Sequence, residues 1–481
     1  MQATETGIKE TETKGWAKAI ATPAKEFGPE PLPLISGQIP AELRGSLYRN
    51  GPGRLARGGF QVGHWFDGDG GILAVHFAGG AATGLYRYVR TAEYTEEERA
   101  GKLLFGGYGM MPPGPIWNRF RRSLKNAANV SVIALPDKLL ALWEGDRPHA
   151  LDLETLETWG LDDLQGLTEG LRYSAHPKRD PKTGDIYNFG ISYGKTVFLH
   201  IYRSDRSGRI RQKNSIPLEG ISLIHDFVFA GKYLVFLIPP LRIELLSVLL
   251  KLKSFSDAMS WQPGLGTQIL VVDSDSLKPV SCGLTEPWFQ WHFGNGFSDS
   301  DGSVVLDLVR YEDFQTNQFL KEVPTGRTET PAKGTLWQMR LEPQTGKEIE
   351  MTLLCDRACD FPRVNPNRVG QPWRYTYLSV LSDEAELGRE LLGDIAALDR
   401  QTGSYQVAKL GRNRYGSEPI YAPHPDNPDR GWILSVVFDS NSCSSEVWIF
   451  DSDRLDSEPV CRLGLPEVVP MGFHGTWNPN I

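Results

Sequence analysis

The chain has 481 residues, 40% hydrophobic and 23% charged, a globular composition that supports a sizeable core and excludes disorder for the body of the molecule. Its formal net charge of -8 argues against a nucleic-acid partner, because an acidic surface repels phosphate.

The first segment, residues 1–14, is rich in Thr, Glu and Lys and cannot bury enough apolar area to offset chain entropy, so a disordered tail is expected there. KGWAKAI at 14–20 reads either as a short amphipathic helix packing Trp16 on the body or as more tail. The N-terminus lacks the apolar run of a signal peptide, and no stretch of 18 or more apolar residues follows. The five cysteines (Cys282, Cys355, Cys359, Cys443, Cys461) are odd in number and form no CxxC pair. A cytoplasmic protein with free thiols is expected, touching at most the surface of a membrane.

From Leu47 onward, short strand-like runs alternate with turn chemistry. The turns include DPKTGD at 180–185, SDRSGR at 204–209, SDSDGS at 298–303, EPQTGK at 342–347, DRQTGS at 399–404 and HPDNPDRG at 424–431. Asp, Asn, Ser and Gly supply the tight backbone geometries, and the runs between them, such as YLVFLI and EVWIFD, are rich in β-branched and aromatic residues. Many hairpins with scarcely a helical pattern between them predict an all-β fold, read as a β-propeller. The blades do not align with one another by eye, so their number stays open. A tandem of sandwiches would need a linker that the chain does not show, and residues 15–481 are read as one propeller domain.

Two apolar stretches interrupt this texture, at 103–120 and 237–259. In the second, leucines recur with helical spacing beside Arg242, Lys251 and Lys253. The stretch is either a helix capping the propeller or a patch that dips into a membrane, where basic residues meet headgroups.

For chemistry, the chain carries no G-x-S-x-G, P-loop, H-E-x-x-H or strand-following G-x-G-x-x-G. Four of its nine histidines sit in small, apolar or Gly-rich settings: His176 in SAHP, His225 in LIHDF, His292 in WHFGNG and His474 in GFHGTW. They lie 49, 67 and 182 residues apart, too far for a local metal motif. A propeller, however, brings distant inner strands to a common axis, and imidazole suits iron, copper and zinc alike.

The segments around these histidines occur together with LYRNGPG at 47–53, WFDGDGG at 65–71, KNAANVSV at 125–132, LALWEGDRP at 140–148 and SEPIYAPHP at 417–425. In this order, from about residue 30 to the C-terminus, the set strongly resembles the carotenoid cleavage oxygenases, particularly their bacterial apocarotenoid-cleaving branch. The resemblance implies a seven-bladed propeller under a helical and loop dome, with Fe(II) on the axis held by His176, His225, His292 and His474. It implies support of three histidines by Glu144, Asp360 and Glu418. Asp360 stands where the family more often has Glu, so a shorter arm must draw the backbone in or use a water, and His292 is the histidine in question.

The implied reaction adds both atoms of O2 across a conjugated C=C bond of a carotenoid or apocarotenoid and yields two carbonyl products, retinal-type if the cut is central. The lipophilic polyene would thread a tunnel whose candidate lining is Phe66, Val130, Trp143, Ile224, Trp291 and Phe473. The apolar patches near 103–120 and 237–259 then read as its membrane-contacting mouth. Two alternatives remain. Stilbene-cleaving relatives place a lysine before the glutamate of the LAL-x-E motif, and here that residue is Trp143; a non-catalytic propeller scaffold would need no four converging imidazoles.

Overall fold

Runs of β-branched and aromatic residues cut by Asp and Gly turns form antiparallel hairpins throughout the computed structural model, which describes residues 14–220 and 222–479. All six turn motifs join paired neighbours. In the first, Lys182 N donates to Asp180 Oδ1 at 2.9 Å while Gly184 takes a φ of 81° that a side chain would disfavour.

The described strands assemble into seven sheets of four or more strands, arranged as the blades of a propeller. Blade 2 runs outward from Ser131–Ala134, blade 3 from Lys178–Arg179, blade 4 from Val228–Ala230, blade 5 from Phe293–Ser298 and blade 6 from Cys359–Arg363. Blade 7 is built on Ile420–His424 and Asn427–Asp439. Blade 1 takes Gly475–Asn478 from the C-terminal end onto Gly45–Arg54, while Leu34–Gly37 completes blade 7 against Cys461–Gly464. Chain-distant segments therefore close the ring at two places, joining the two ends of the chain into blades 1 and 7.

Seven apolar clusters fill the spaces between consecutive blades. Inner strands such as Tyr233–Ile238 are buried on both faces and read as continuous apolar runs, whereas outer strands such as Ile210–Leu218 alternate. An eighth cluster sits above the ring and contains Trp16, Leu55, Trp65, Val323 and Leu391. The segment around Trp16 is thus a short helix, Ala17–Ile20, and Trp16 is fully buried with Nε1 donating to Arg389 O at 3.2 Å. The tail expected over residues 1–14 lies outside the described residues except for Lys14.

The helical spacing read at 237–259 is not one helix. Pro239 and Pro240 end the strand of blade 4, Leu241–Ile243 pairs with Met259–Trp261, and only Leu245–Leu249 is α-helical. Prolines lack the amide that a continuing helix needs, and Lys251 at φ 53° stops the turn on its far side. No helix of the described residues is long and apolar enough to cross a membrane.

Candidate metal centre

Each blade delivers one residue to the axis at the entry to its innermost strand. In blade order these are His474, Val130, His176, His225, His292, Asp360 and Glu418, each within three residues of the strand start or just inside it. The wide sequence spacing of the histidines is therefore blade spacing. Their ligand nitrogens lie within 4.8 Å of one another and all four rings are buried. Two nitrogens on opposite sides of one ion stand about 4.2 Å apart at roughly 2.1 Å per bond, so one ion can draw on all four.

The second ring nitrogens are held from outside. His474 Nδ1 is 2.8 Å from Glu418 Oε1, His292 Nδ1 is 2.8 Å from Asp360 Oδ1, and His225 Nδ1 is in direct contact with Glu144 Oε1. A carboxylate accepting from Nδ1–H fixes the tautomer with the Nε2 lone pair facing the axis. His176 differs: its Nδ1 is 3.9 Å from Asp226 Oδ1, beyond hydrogen-bond reach, and Asp226 is engaged by Lys178 Nζ at 2.7 Å.

Burial holds His176 well below the ordinary imidazole range, with the other three imidazoles adding to it. Burial also brings His474 down to about 3 against the pull of Glu418. Burial would raise Glu418, but Arg363 and His474 overcome it and keep the carboxylate well below its usual range. Converging lone pairs repel unless a cation accepts them. His292 Nε2 is buried with no hydrogen-bond partner, and His176 Nε2 stands 2.9 Å from His225 Nε2. The residues present therefore fit a metal ion, and the absence of a carboxylate among the inward atoms suits a borderline metal.

Two cavities meet at this plane. On the dome side, about 1060 Å³ including the open mouth is lined by Trp65, Phe66, Val130, Trp291, Phe319 and Phe473 above His225, His292 and His474. On the opposite side a funnel runs down the axis, lined by His176, Lys178, Arg179, Asn295, Arg363 and Asn367. Trp291 and Phe473, just before His292 and His474, line the dome cavity, and Phe293 and Gly475, just after them, line the funnel.

Four of the six candidate lining residues, Phe66, Val130, Trp291 and Phe473, stand in the dome cavity. Trp143 and Ile224 do not. Trp143 packs between blades 2 and 3 over Gly145, where a Cβ would meet its ring at 2.3 Å, and Ile224 packs between blades 3 and 4. Sequence reasoning missed the residues behind the carboxylates. Arg363 Nε donates to Glu418 Oε1 at 2.7 Å, Arg49 Nη1 lies 3.8 Å from Glu418 Oε2, and the Tyr311 hydroxyl donates to Asp360 Oδ2 at 2.7 Å. Arg49 lies inside the quoted LYRNGPG motif and Arg363 three residues after Asp360, whereas Tyr311 follows an ordinary strand and carries no local signal.

A family model described as retinal pigment epithelial membrane protein matches residues 20–479. The chain is 32% identical to an apocarotenoid-15,15'-oxygenase of Synechocystis sp., over 92% of each chain. It is 27% identical to resveratrol cleavage oxygenase 1 of Aspergillus fumigatus, over 92% of this chain and 91% of the relative. The crystal structure of cobalt-substituted Synechocystis ACO superposes with a TM-score of 0.88 at 30% identity, covering 97% of this chain and 98% of that one.

Proposed function

Because the chain belongs to the retinal pigment epithelial membrane protein family, that of the carotenoid cleavage oxygenases, we propose that it is a non-haem iron dioxygenase. Its substrate is a carotenoid or apocarotenoid, cut at one conjugated C=C bond to give two carbonyl products. The observation that carries this reading is the buried set His176, His225, His292 and His474, three of which floor an apolar cavity. The four imidazoles would hold ferrous iron, which would supply dioxygen activation beside an electron-rich alkene without an external reductant.

The chain's own groups do the rest. Glu144, Asp360 and Glu418 orient three of the imidazoles. Phe66, Trp291 and Phe473 form walls that take an apolar polyene and exclude water. Val130, at the axial position of blade 2, puts an aliphatic side chain where other blades put imidazole or carboxylate, so blade 2 offers no ligand atom there. The double closure of the ring supports reading residues 15–481 as one catalytic domain. The name of the Synechocystis relative supports central cleavage of an apocarotenal to a retinal-type product. A phenolic stilbene fits less well, because Trp143 before Glu144 offers no ammonium to a phenol.

The same reading includes membrane contact at the cavity's side of the molecule. Trp117, Phe120, Leu246, Leu249 and Leu252 are all more than half exposed. Lys251 ties their two segments together, with its Nζ donating to Arg122 O at 3.2 Å. Basic residues beside exposed leucines suit a headgroup region. Leu249→Glu is expected to reduce co-sedimentation with liposomes by about tenfold, the worth of one leucine withdrawn from water; unchanged sedimentation removes the membrane from the proposal.

The central experiment is anaerobic loading with Fe(II), then aerobic incubation with an apocarotenal series and mass spectrometry under 18O2. Labelled aldehydes of constant length from the ring are expected. Failure to take up iron, or iron uptake without turnover of any polyene, overturns the reading.

A further inference from the structure

We propose that Tyr311 is a positioning residue for the metal centre, paired with Asp360, so that together they do for His292 what a longer carboxylate would do alone; the inference rests on the four-histidine reading above. The three carboxylates behind the histidines are not equally secured. Glu418 has several donors: His474 Nδ1 and Arg363 Nε reach its Oε1, while the Gly475 amide reaches its Oε2 at 2.8 Å. Glu144 is partly exposed, with 28% of its side chain accessible, so water can complete its shell. Asp360 is buried, and its two oxygens divide their work. Oδ1 accepts from His292 Nδ1 and from the Phe361 amide, both at 2.8 Å, and Oδ2 accepts from the Tyr311 hydroxyl at 2.7 Å.

A shorter arm reaches His292 directly because the backbone comes to meet it. The inner strand of blade 6 shifts register between Asp360 and Arg363, and Phe361 takes a φ of 55°, a left-handed conformation that bulky residues rarely adopt. With the reach solved by the backbone, the remaining freedom is rotation of the carboxylate about its own axis. An unfilled Oδ2 in the apolar dome cavity would turn toward whichever donor it could share, and the nearest is His292. Tyr311 removes that freedom. Its own backbone is anchored to Phe289 by amide bonds in both directions, at 3.1 and 2.8 Å, so the hydroxyl sits on a fixed frame.

The same contact sets the length of the residue at 360. One more methylene would drive a carboxylate into the phenol oxygen already at hydrogen-bond distance. Asp360→Glu is therefore a perturbation here and becomes acceptable only when the hydroxyl is gone.

The test uses the full chain as wild type, Y311F, D360E and D360E/Y311F, each loaded anaerobically with Co(II). Release into excess chelator and the ligand-field absorption of the bound ion are recorded. Y311F and D360E are each expected to release metal about tenfold faster or more, the usual weight of a residue supporting a ligand, with shifted absorption bands. The double variant is expected to return toward wild type in both rate and spectrum, which a merely structural tyrosine would not produce. Release from Y311F within about twofold of wild type, or a double variant no better than the worse single one, overturns the pairing while leaving the metal reading intact. A wild-type protein that takes up no metal overturns that reading and the pairing with it. If Y311F alone gives no folded protein, D360E against D360E/Y311F carries the same comparison.

Discussion

The dome side of the axis and the funnel side meet at one histidine plane, yet they differ in charge: Lys178, Arg179, Arg206 and Arg363 line the funnel, whereas no lysine or arginine lines the dome cavity. Above the histidine plane the walls include Trp65, Phe66, Val130, Trp291 and Phe473; below it Lys178, Arg179, Asn295 and Arg363 stand among Phe227, Phe229 and Phe293. The plane is where the two environments meet, and there four buried imidazoles stand together, three of them held by carboxylates.

The sharpest way to break this comparison is to remove the plane. His292→Ala is expected to lower metal affinity by more than the roughly 100-fold that loss of a supporting residue alone can cost, as read by metal content after dialysis. If iron content stays at the wild-type level, the four histidines are not one site.

Next in size is Glu418→Ala, which would strip the partner from two guanidinium groups, one of them deeply buried. Burial already lowers Arg49 to about 10, with Glu418 pulling it back up. Loss of the carboxylate is expected to cost about 3–5 kcal/mol of stability, as breaking a buried ion pair does, measured by denaturant unfolding. A loss under about 1 kcal/mol would mean that water replaces Glu418 and that the plane is wetter than its burial implies.

Phe66→Ala probes the dome alone. Its ring stands 5.4 Å from Tyr108, 5.6 Å from Trp291 and 5.3 Å from Phe473. About tenfold lower kcat/KM on an apocarotenal is expected, equivalent to one aromatic contact, with metal content unchanged. Equal turnover would place the polyene elsewhere. At the funnel end, exposed Arg206 is the control. Arg206→Ala is expected to leave metal content and turnover as they are and stability within about 0.5 kcal/mol; a selective loss of turnover would assign the funnel a part in the reaction.

Much of this architecture was legible locally. The Asp and Gly turns at 180–185 and 299–303 specify hairpins whatever the rest of the chain does, because their side chains and positive φ values act within a few residues. The sequence patterns around His176, His225, His292 and His474 were enough to single those residues out, and the family followed from the order of the motifs. Local pattern misled at 237–259, where leucine spacing suggested a helix and two prolines with a left-handed lysine made a strand, one short helix and a loop. It also singled out Trp143 and Ile224, next to Glu144 and His225, as cavity lining, and each packs between blades. Adjacency in the chain tells how near a residue is to the axis, not which way its side chain leaves the strand.

The sequence by itself determined the all-β class, the turns, the family and the set of residues worth watching, because each rests on short-range backbone chemistry or on motifs read in order. Only the tertiary structure decided the double closure through Leu34–Gly37 and Gly475–Asn478, the 4.8 Å within which the four imidazoles implied by the resemblance converge, and the meeting of Tyr311 with Asp360. Those features join residues from 49 to more than 400 positions apart, and no local propensity carries information across such distances; packing of blade against blade does.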